Sequence, residues 1–175
     1  MTATLAASAD SIVLAHIESP VGPLLAASTA RGICLLEFSE PERLAAQLVA
    51  VRRTFGASTV QGTNSHLEQL TAELTEYFAG TLREFTVPLE IAGSDFQRTV
   101  WQQLRQIPYG ETRSYEDIAV AAGSPKSMRA VGTANGQNRI AIVIPCHRVI
   151  NKGGKLGGYG GGLDRKKFLL DLERR

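Results

Sequence analysis

Three strand-like runs, residues 11–18, 23–28 and 31–38, follow one another with breaks of only two to four residues, and this limits the fold more than any other feature. Pro20-Val21-Gly22 turns the chain after the first run. Breaks this short leave no room for a crossover, so the runs must pair as an antiparallel meander. The hydrophobic period then lengthens. Pro41 opens a helix through about Phe55 with Leu44, Leu48 and Val51 at core spacing. A second helix spans Ser65 to Phe78 on the stripe Leu67, Leu70, Leu74 and Phe78, and Gly80 stops it. Residues 84–91 read as a further strand, near a sheet edge because Pro88 cannot donate to a ladder.

A boundary near Ala92-Gly93 divides the chain into residues 1–91 and 92–175. Ser94 caps a helix whose Phe96, Val100, Trp101 and Leu104 face inward, ending before Pro108-Tyr109-Gly110. Ser114 caps the next, from Tyr115 to Ala122; Gly123 ends it, and Ser124 caps another that Pro125 opens. Two short helices on a tight glycine-containing turn form a helix-turn-helix, a unit that reads DNA in some proteins and only packs in others. The second of these helices is rich in small residues, Ala130, Gly132 and Ala134 among them, with Arg129 alone reaching far out. Small side chains serve either close approach to a ligand or close packing on a neighbouring helix. Between Gly153 and Gly162 lies a glycine-rich loop that is either a flexible connection or the lining of a pocket beside the apolar run 140–144. It lacks the Gly-Lys-Ser/Thr of a phosphate loop. Asp164 caps a last helix, with Phe168, Leu169 and Leu172 inward and Glu173 near its end.

At 175 residues and 43% hydrophobic content, the chain fits one ordinary domain or two small ones. The stretch from Leu5 to Ala9 is too short and broken for a signal sequence, and no apolar run reaches membrane-spanning length, so we expect a cytosolic (cytoplasmic) protein with no membrane partner. In that compartment Cys34 and Cys146 should both stay reduced. Net charge is only +2, but from Arg98 onward fourteen Lys and Arg stand against six Asp and Glu. Such asymmetry favours a polyanionic partner for the second half, although a merely solvated surface gives the same count.

Pro145-Cys146-His147-Arg148 ends the apolar run 140–144 and fixes a thiol beside an imidazole at the rim of a buried segment. The thiolate is the attacking form, and a neighbouring imidazole and positive charge, here expected from Arg148, favour it. Cys34, within an apolar strand, reads as a small buried hydrophobe. Nothing marks His16 or His66 as functional, and three scattered histidines without paired cysteines are a weak ligand set for zinc, so no metal is expected.

Pro145-Cys146-His147-Arg148-Val149, with Pro108-Tyr109-Gly110, Ser114-Tyr115 and Arg129-Ala130-Val131-Gly132 in order and spacing, resembles the O6-alkylguanine-DNA alkyltransferase (methylated-DNA-protein-cysteine methyltransferase) family. The likeness runs from Phe96 to Glu173 almost without gaps and more loosely through Ser19-Pro20-Val21-Gly22-Pro23. It implies an α/β (α+β) protein: a ribonuclease H-like N-terminal domain with an antiparallel sheet and helices, then a winged-helix-like domain carrying the helix-turn-helix. It implies direct-reversal DNA repair, in which Cys146 takes the alkyl group from O6-alkylguanine irreversibly, once per molecule, with no cofactor. His147 would take the thiol proton through a water, Glu173 would orient the imidazole, Asn138 would tie the helix-turn-helix to the active-site turn, and Tyr115 would donate to the guanine ring. Arg129 would fill the gap left by a nucleotide flipped through the minor groove, with Ser127, Ala130, Gly132 and Thr133 at the DNA. Tyr159, Gly160, Val149 and Pro145 would line the pocket.

Gly160 stands where some members have serine and Ala141 where some have proline, which leaves tolerance for bulky alkyl groups open. The zinc ligands and regulatory domains of some relatives are not reproduced. The expected partner is double-stranded DNA carrying the lesion, with single-stranded DNA and O4-alkylthymine as further substrates, and the protein is expected to act as a monomer. Rival readings are a non-catalytic binder of alkylated DNA, a thiol hydrolase and a regulatory DNA-binding module. Cys146 argues against the first, and the arginine-bearing helix is unexplained by the second.

Overall fold

In the computed structural model, which describes residues 11–175, the chain folds as two compact units that meet between Ala92 and Gly93 in the sequence. The short breaks near the start act as expected. β1 (Ile12–Ile17), β2 (Leu24–Ser28) and β3 (Ile33–Phe38) form an antiparallel meander in which Val13 pairs with Ser28 and Leu24 with Phe38. All of β2 and β3 is buried, as strands covered on both faces must be. α1 (Pro41–Phe55) covers one face. Its fully buried Val51, with half-buried Leu44 and Leu48, packs on Ile12, Leu14, Leu25, Ala27, Cys34 and Leu35. The buried carboxylate of Glu37 adds a polar tie from β3 to α1, accepting from Arg43 Nε at 3.0 Å and Gln47 Nε2 at 3.2 Å. α2 (Ser65–Phe78) packs against β2 and β3 through Leu67, Leu70 and Leu74. Asn64 caps it, accepting from the Leu67 N–H at 3.0 Å. Phe78 is only half-buried, and Tyr77 takes the core place expected for it.

Two expectations for this unit are corrected. A fourth strand, β4 (Thr59–Gln61), pairs parallel to β1 at the sheet edge, giving the order β3-β2-β1-β4. Residues 84–91 form no strand and make only one isolated bridge, Leu89 with Ile33. The physical reason is Glu73. Its carboxylate accepts the N–H groups of Thr86 and Val87 at 3.1–3.2 Å, and Pro88 has none to give, so the segment's donors are taken by a side chain.

From Gly93 onward the unit is mainly helical. α3 (Asp95–Arg105) starts with a reciprocal capping box between Ser94 and Gln97 and buries Val100, Trp101 and Leu104, with Phe96 half-buried. β5 (Arg113–Ser114) leads into α4 (Tyr115–Ala121), where Ser114 and Asp117 make a second capping box. α5 (Met128–Gly136) completes the helix-turn-helix, and α3, α4 and α5 pack on one another. α5 begins three residues later than expected: Ser124 and Pro125 lie in a turn closed by the Ser127 N–H on the Ser124 carbonyl, and Ser127 is the residue before the helix. β6 (Val149–Ile150) pairs parallel to β5. α6 (Leu163–Glu173) ends the chain. Its flanking residue is Gly162, not Asp164, which lies in the first turn. Leu169, Leu170 and Leu172 are buried, but Phe168 is exposed and Lys166 is wholly buried in its stead. No helix among the described residues is long and apolar enough to cross a membrane. The stretch Leu5 to Ala9 lies outside the described residues.

Candidate active site

The apolar run before the thiol is a buried turn, not a strand, and it carries one costly residue. Ile142 has φ of 71°, a left-handed conformation that a β-branched side chain adopts only when its surroundings impose it. Asn138 supplies that imposition. Its Oδ1 accepts the Ile140 N–H at 3.0 Å, and its Nδ2 donates to the Ile144 carbonyl at 2.8 Å, bracing the turn across its width. Beyond buried Pro145, residues Cys146–Arg148 form one turn of 3-10 helix, with Cys146 and Arg148 both 7% exposed and His147 not at all.

Glu173, from the end of α6, organises the turn. Its Oε1 lies 2.7 Å from His147 Nε2, and Arg148 clamps both carboxylate oxygens, Nε to Oε2 at 2.9 Å and Nη2 to Oε1 at 3.0 Å. Burial pushes the carboxyl upward, but the hydrogen bonds from His147 and Arg148 and the Arg148 charge prevail and hold its pKa at about 2. An ionised carboxylate only accepts, so Nε2 carries the hydrogen and Nδ1 is the basic nitrogen of His147. Burial keeps that imidazole below its ordinary range and therefore neutral. Gly110 lets the preceding turn lie against this network. Its φ is +80°, and a Cβ there would stand 2.9 Å from the Glu173 carbonyl.

Arg148 was expected to supply positive charge to the thiol. Its guanidinium is instead committed to Glu173 and to the Ile107 carbonyl at 2.7 Å, above the Tyr109 ring. The cation coupled to Cys146 is Lys166, which sequence reasoning missed. Its Nζ donates to the carbonyls of Val149 at 2.6 Å and Gly158 at 3.1 Å, and to that of Leu156. Burial draws its pKa down to about 8, against an upward pull from Cys146. Two of these bonds, to Leu156 and Gly158, pin the glycine-rich loop, and the third ties it to β6, so the loop is part of the site. Gly157 lies against Tyr115, where a Cβ would stand 3.3 Å from the phenol oxygen. Tyr115 is half-buried; burial and the Cys146 charge raise its pKa, so it remains a hydroxyl donor. Tyr159 is half-buried and Gly160 exposed on this loop, while Val149 is fully buried.

On α5 the expected outer residues Arg129, Ala130 and Thr133 are exposed, and Ser127 is half-buried. Gly132 turns inward, its Cβ direction 3.9 Å from the Tyr115 ring. Ala134 packs, its carbonyl accepting from Trp101 Nε1 at 2.8 Å. Both uses of small residues thus occur on one helix. A groove of about 940 Å³ lined by Gln103, Gln106, Arg113, Glu116, Asp117 and Lys152 is touched by none of Cys146, His147, Glu173 and Lys166.

The chain has counterparts among known proteins. Residues 95–175 match the model of the 6-O-methylguanine DNA methyltransferase DNA-binding domain, and residues 12–91 that of the same family's ribonuclease-like domain. A methylated-DNA-protein-cysteine methyltransferase of Mycolicibacterium paratuberculosis is 50% identical over 91% of this chain and 90% of that protein. One from Methanosarcina barkeri is 45% identical over 90% and 94%. The crystal structure of Mycobacterium tuberculosis OGT in complex with DNA aligns with a TM-score of 0.79 at 43% identity, covering 94% of this chain and 92% of that one. The ribonuclease-like and DNA-binding halves expected from the sequence are both present, and the chain belongs to the 6-O-methylguanine DNA methyltransferase family.

Proposed function

We propose that the protein repairs DNA by moving an alkyl group from the O6 oxygen of guanine to Sγ of Cys146. The observation that carries this reading is the fixed tautomer of His147: Glu173 holds the Nε2–H and leaves Nδ1 as the basic nitrogen on the residue next to Cys146. The Cys146 proton passes through a water to Nδ1, and the thiolate attacks the alkyl carbon. A C–S bond forms as the C–O bond breaks. The electron pair leaves on the guanine, where the Tyr115 hydroxyl donates a proton or hydrogen bond to the ring. Lys166 balances the thiolate's charge. The product is a thioether, which neither water nor a thiol reductant cleaves, so each molecule acts once. No cofactor takes part.

DNA is the partner, and α5 is the reading element. Its exposed small residues let the helix backbone come close to a minor groove, and Arg129 has the length to occupy the space of an extruded nucleotide. Extrusion is required because the alkyl carbon is out of a thiol's reach inside the stack. Acceptor, base and orienter all come from residues 93–175, so one copy is sufficient for the chemistry, on duplex or single-stranded DNA. Val149, Pro145, Tyr159 and Gly160 bound the alkyl pocket.

Duplex DNA with labelled O6-methylguanine tests the reading. Label moves to protein at no more than one equivalent, and Cys146→Ser abolishes the transfer. Release of small product over many turnovers would indicate a hydrolase, and tight binding without transfer a binder; either outcome contradicts the proposal.

A further inference from the structure

Asn135, on the inner face of α5, is 5% exposed and half satisfied. Its Nδ2 donates to the Cys146 carbonyl at 3.4 Å, while its Oδ1 is buried with no hydrogen-bond partner among the described residues. His147 Nδ1 is buried and unpartnered in the same way. Both belong to groups at the peptide that links Cys146 to His147: Oδ1 is on the amide whose Nδ2 meets the Cys146 carbonyl, and Nδ1 is on the ring of His147. Both are acceptors, since Nε2 carries the His147 hydrogen. Two buried acceptors cannot satisfy each other, but one water donating to each satisfies both. Asn138 is not available for this task, because both ends of its amide are engaged with Ile140 and Ile144.

We propose that Asn135 is a positioning residue for proton transfer: Nδ2 anchors the Cys146 carbonyl to α5, and Oδ1, together with His147 Nδ1, holds the relay water. The inference rests on the alkyl-transfer reading. The water accepts the Sγ–H proton and gives one of its own to Nδ1, so it remains H2O; its other original hydrogen stays bonded to the water oxygen and donated to Oδ1, which gains and loses no proton. Lys166 and Tyr115 bear on the Cys146 charge, His147 is next in the chain, Glu173 is bonded to His147 and Arg148 to Glu173; the Asn135 side chain is hydrogen-bonded to none of these five.

The test compares the parent protein with Asn135→Leu, using free O6-benzylguanine so that DNA contacts play no part. At neutral pH the variant reacts about five-fold more slowly, the loss expected for one ordinary hydrogen bond. The deficit closes as pH rises beyond the ordinary thiol range, about 8.5, because solvent then removes the proton directly. Melting temperature falls by about a few degrees, since the Cys146 carbonyl loses its donor while an apolar side chain of similar size fills the space. A rate equal to the parent's, or a deficit that does not change with pH, overturns the proposal while leaving alkyl transfer standing. If the parent itself takes no alkyl group, the underlying reading has failed. Asn135→Met, with a more pliable side chain, carries the same expectations if the leucine variant does not fold.

Discussion

A carboxylate held at a pKa of about 2 decides which nitrogen of His147 is the base, and it also ties the site to acid stability. Glu173 binds its proton less readily folded than unfolded, where 4.5 is the ordinary value, so the unfolded chain takes up more protons as pH falls from about 4.5 to 2. Stability is therefore full above that window and lost through it. His147, buried neutral, adds a loss of the same sign below its ordinary 6.5. Melting curves across pH 7 to 3 should show a steep fall below pH 5 that Glu173→Gln flattens; parallel profiles would contradict the account. Lys166 makes a second prediction. Lys166→Met should lower the melting temperature, because three carbonyls lose their donor, and move the pH midpoint of Cys146 modification by iodoacetamide upward by about one unit. An unmoved midpoint would leave Lys166 a loop clasp only. Cys146 and His147 were legible because their motif is compact and chemically distinctive, whereas Glu173, far along the chain, was legible only through the family resemblance. Lys166 and Asn135 were not, since a lysine amid charged neighbours and an asparagine near a helix end both read as surface.

Among the elements, those with local punctuation are legible to the residue. Pro41 and Gly56 bound α1, and Asn64 and Gly80 bound α2. The differences fall where a distant group decides. β4 is three residues long and exists only because β1 offers an edge, while residues 84–91 lose their strand to the Glu73 side chain. On α6 the charged run Asp164-Arg165-Lys166-Lys167 hides which residue faces inward, so that Phe168 reads as core in place of Lys166. α5 is legible as a helix of small residues but not as a two-faced one. Its outer face predicts that Arg129→Ala slows repair of a duplex lesion by about ten-fold or more, on the order of the unstacking cost it offsets, and leaves reaction with free O6-benzylguanine unchanged. Equal slowing of both substrates would remove the arginine from the role of filling the duplex.

For the molecule as a whole, the division of labour follows the charge. The stretch from Arg98 carries the excess of Lys and Arg, and the described residues before Gly93 form a covered sheet with no thiol chemistry of their own. Cys34 is buried in that sheet's core, which leaves Cys146 as the cysteine surrounded by a base, a cation and a hydroxyl donor. A protein built in this way is a reagent with one sulfur to spend. The most direct measurement is the mass of the intact, reduced protein after incubation with excess duplex carrying O6-methylguanine. The account predicts a gain of one methyl group, complete at one equivalent and located by peptide mapping on Cys146. An unchanged mass, or a methyl group on Cys34, would contradict it.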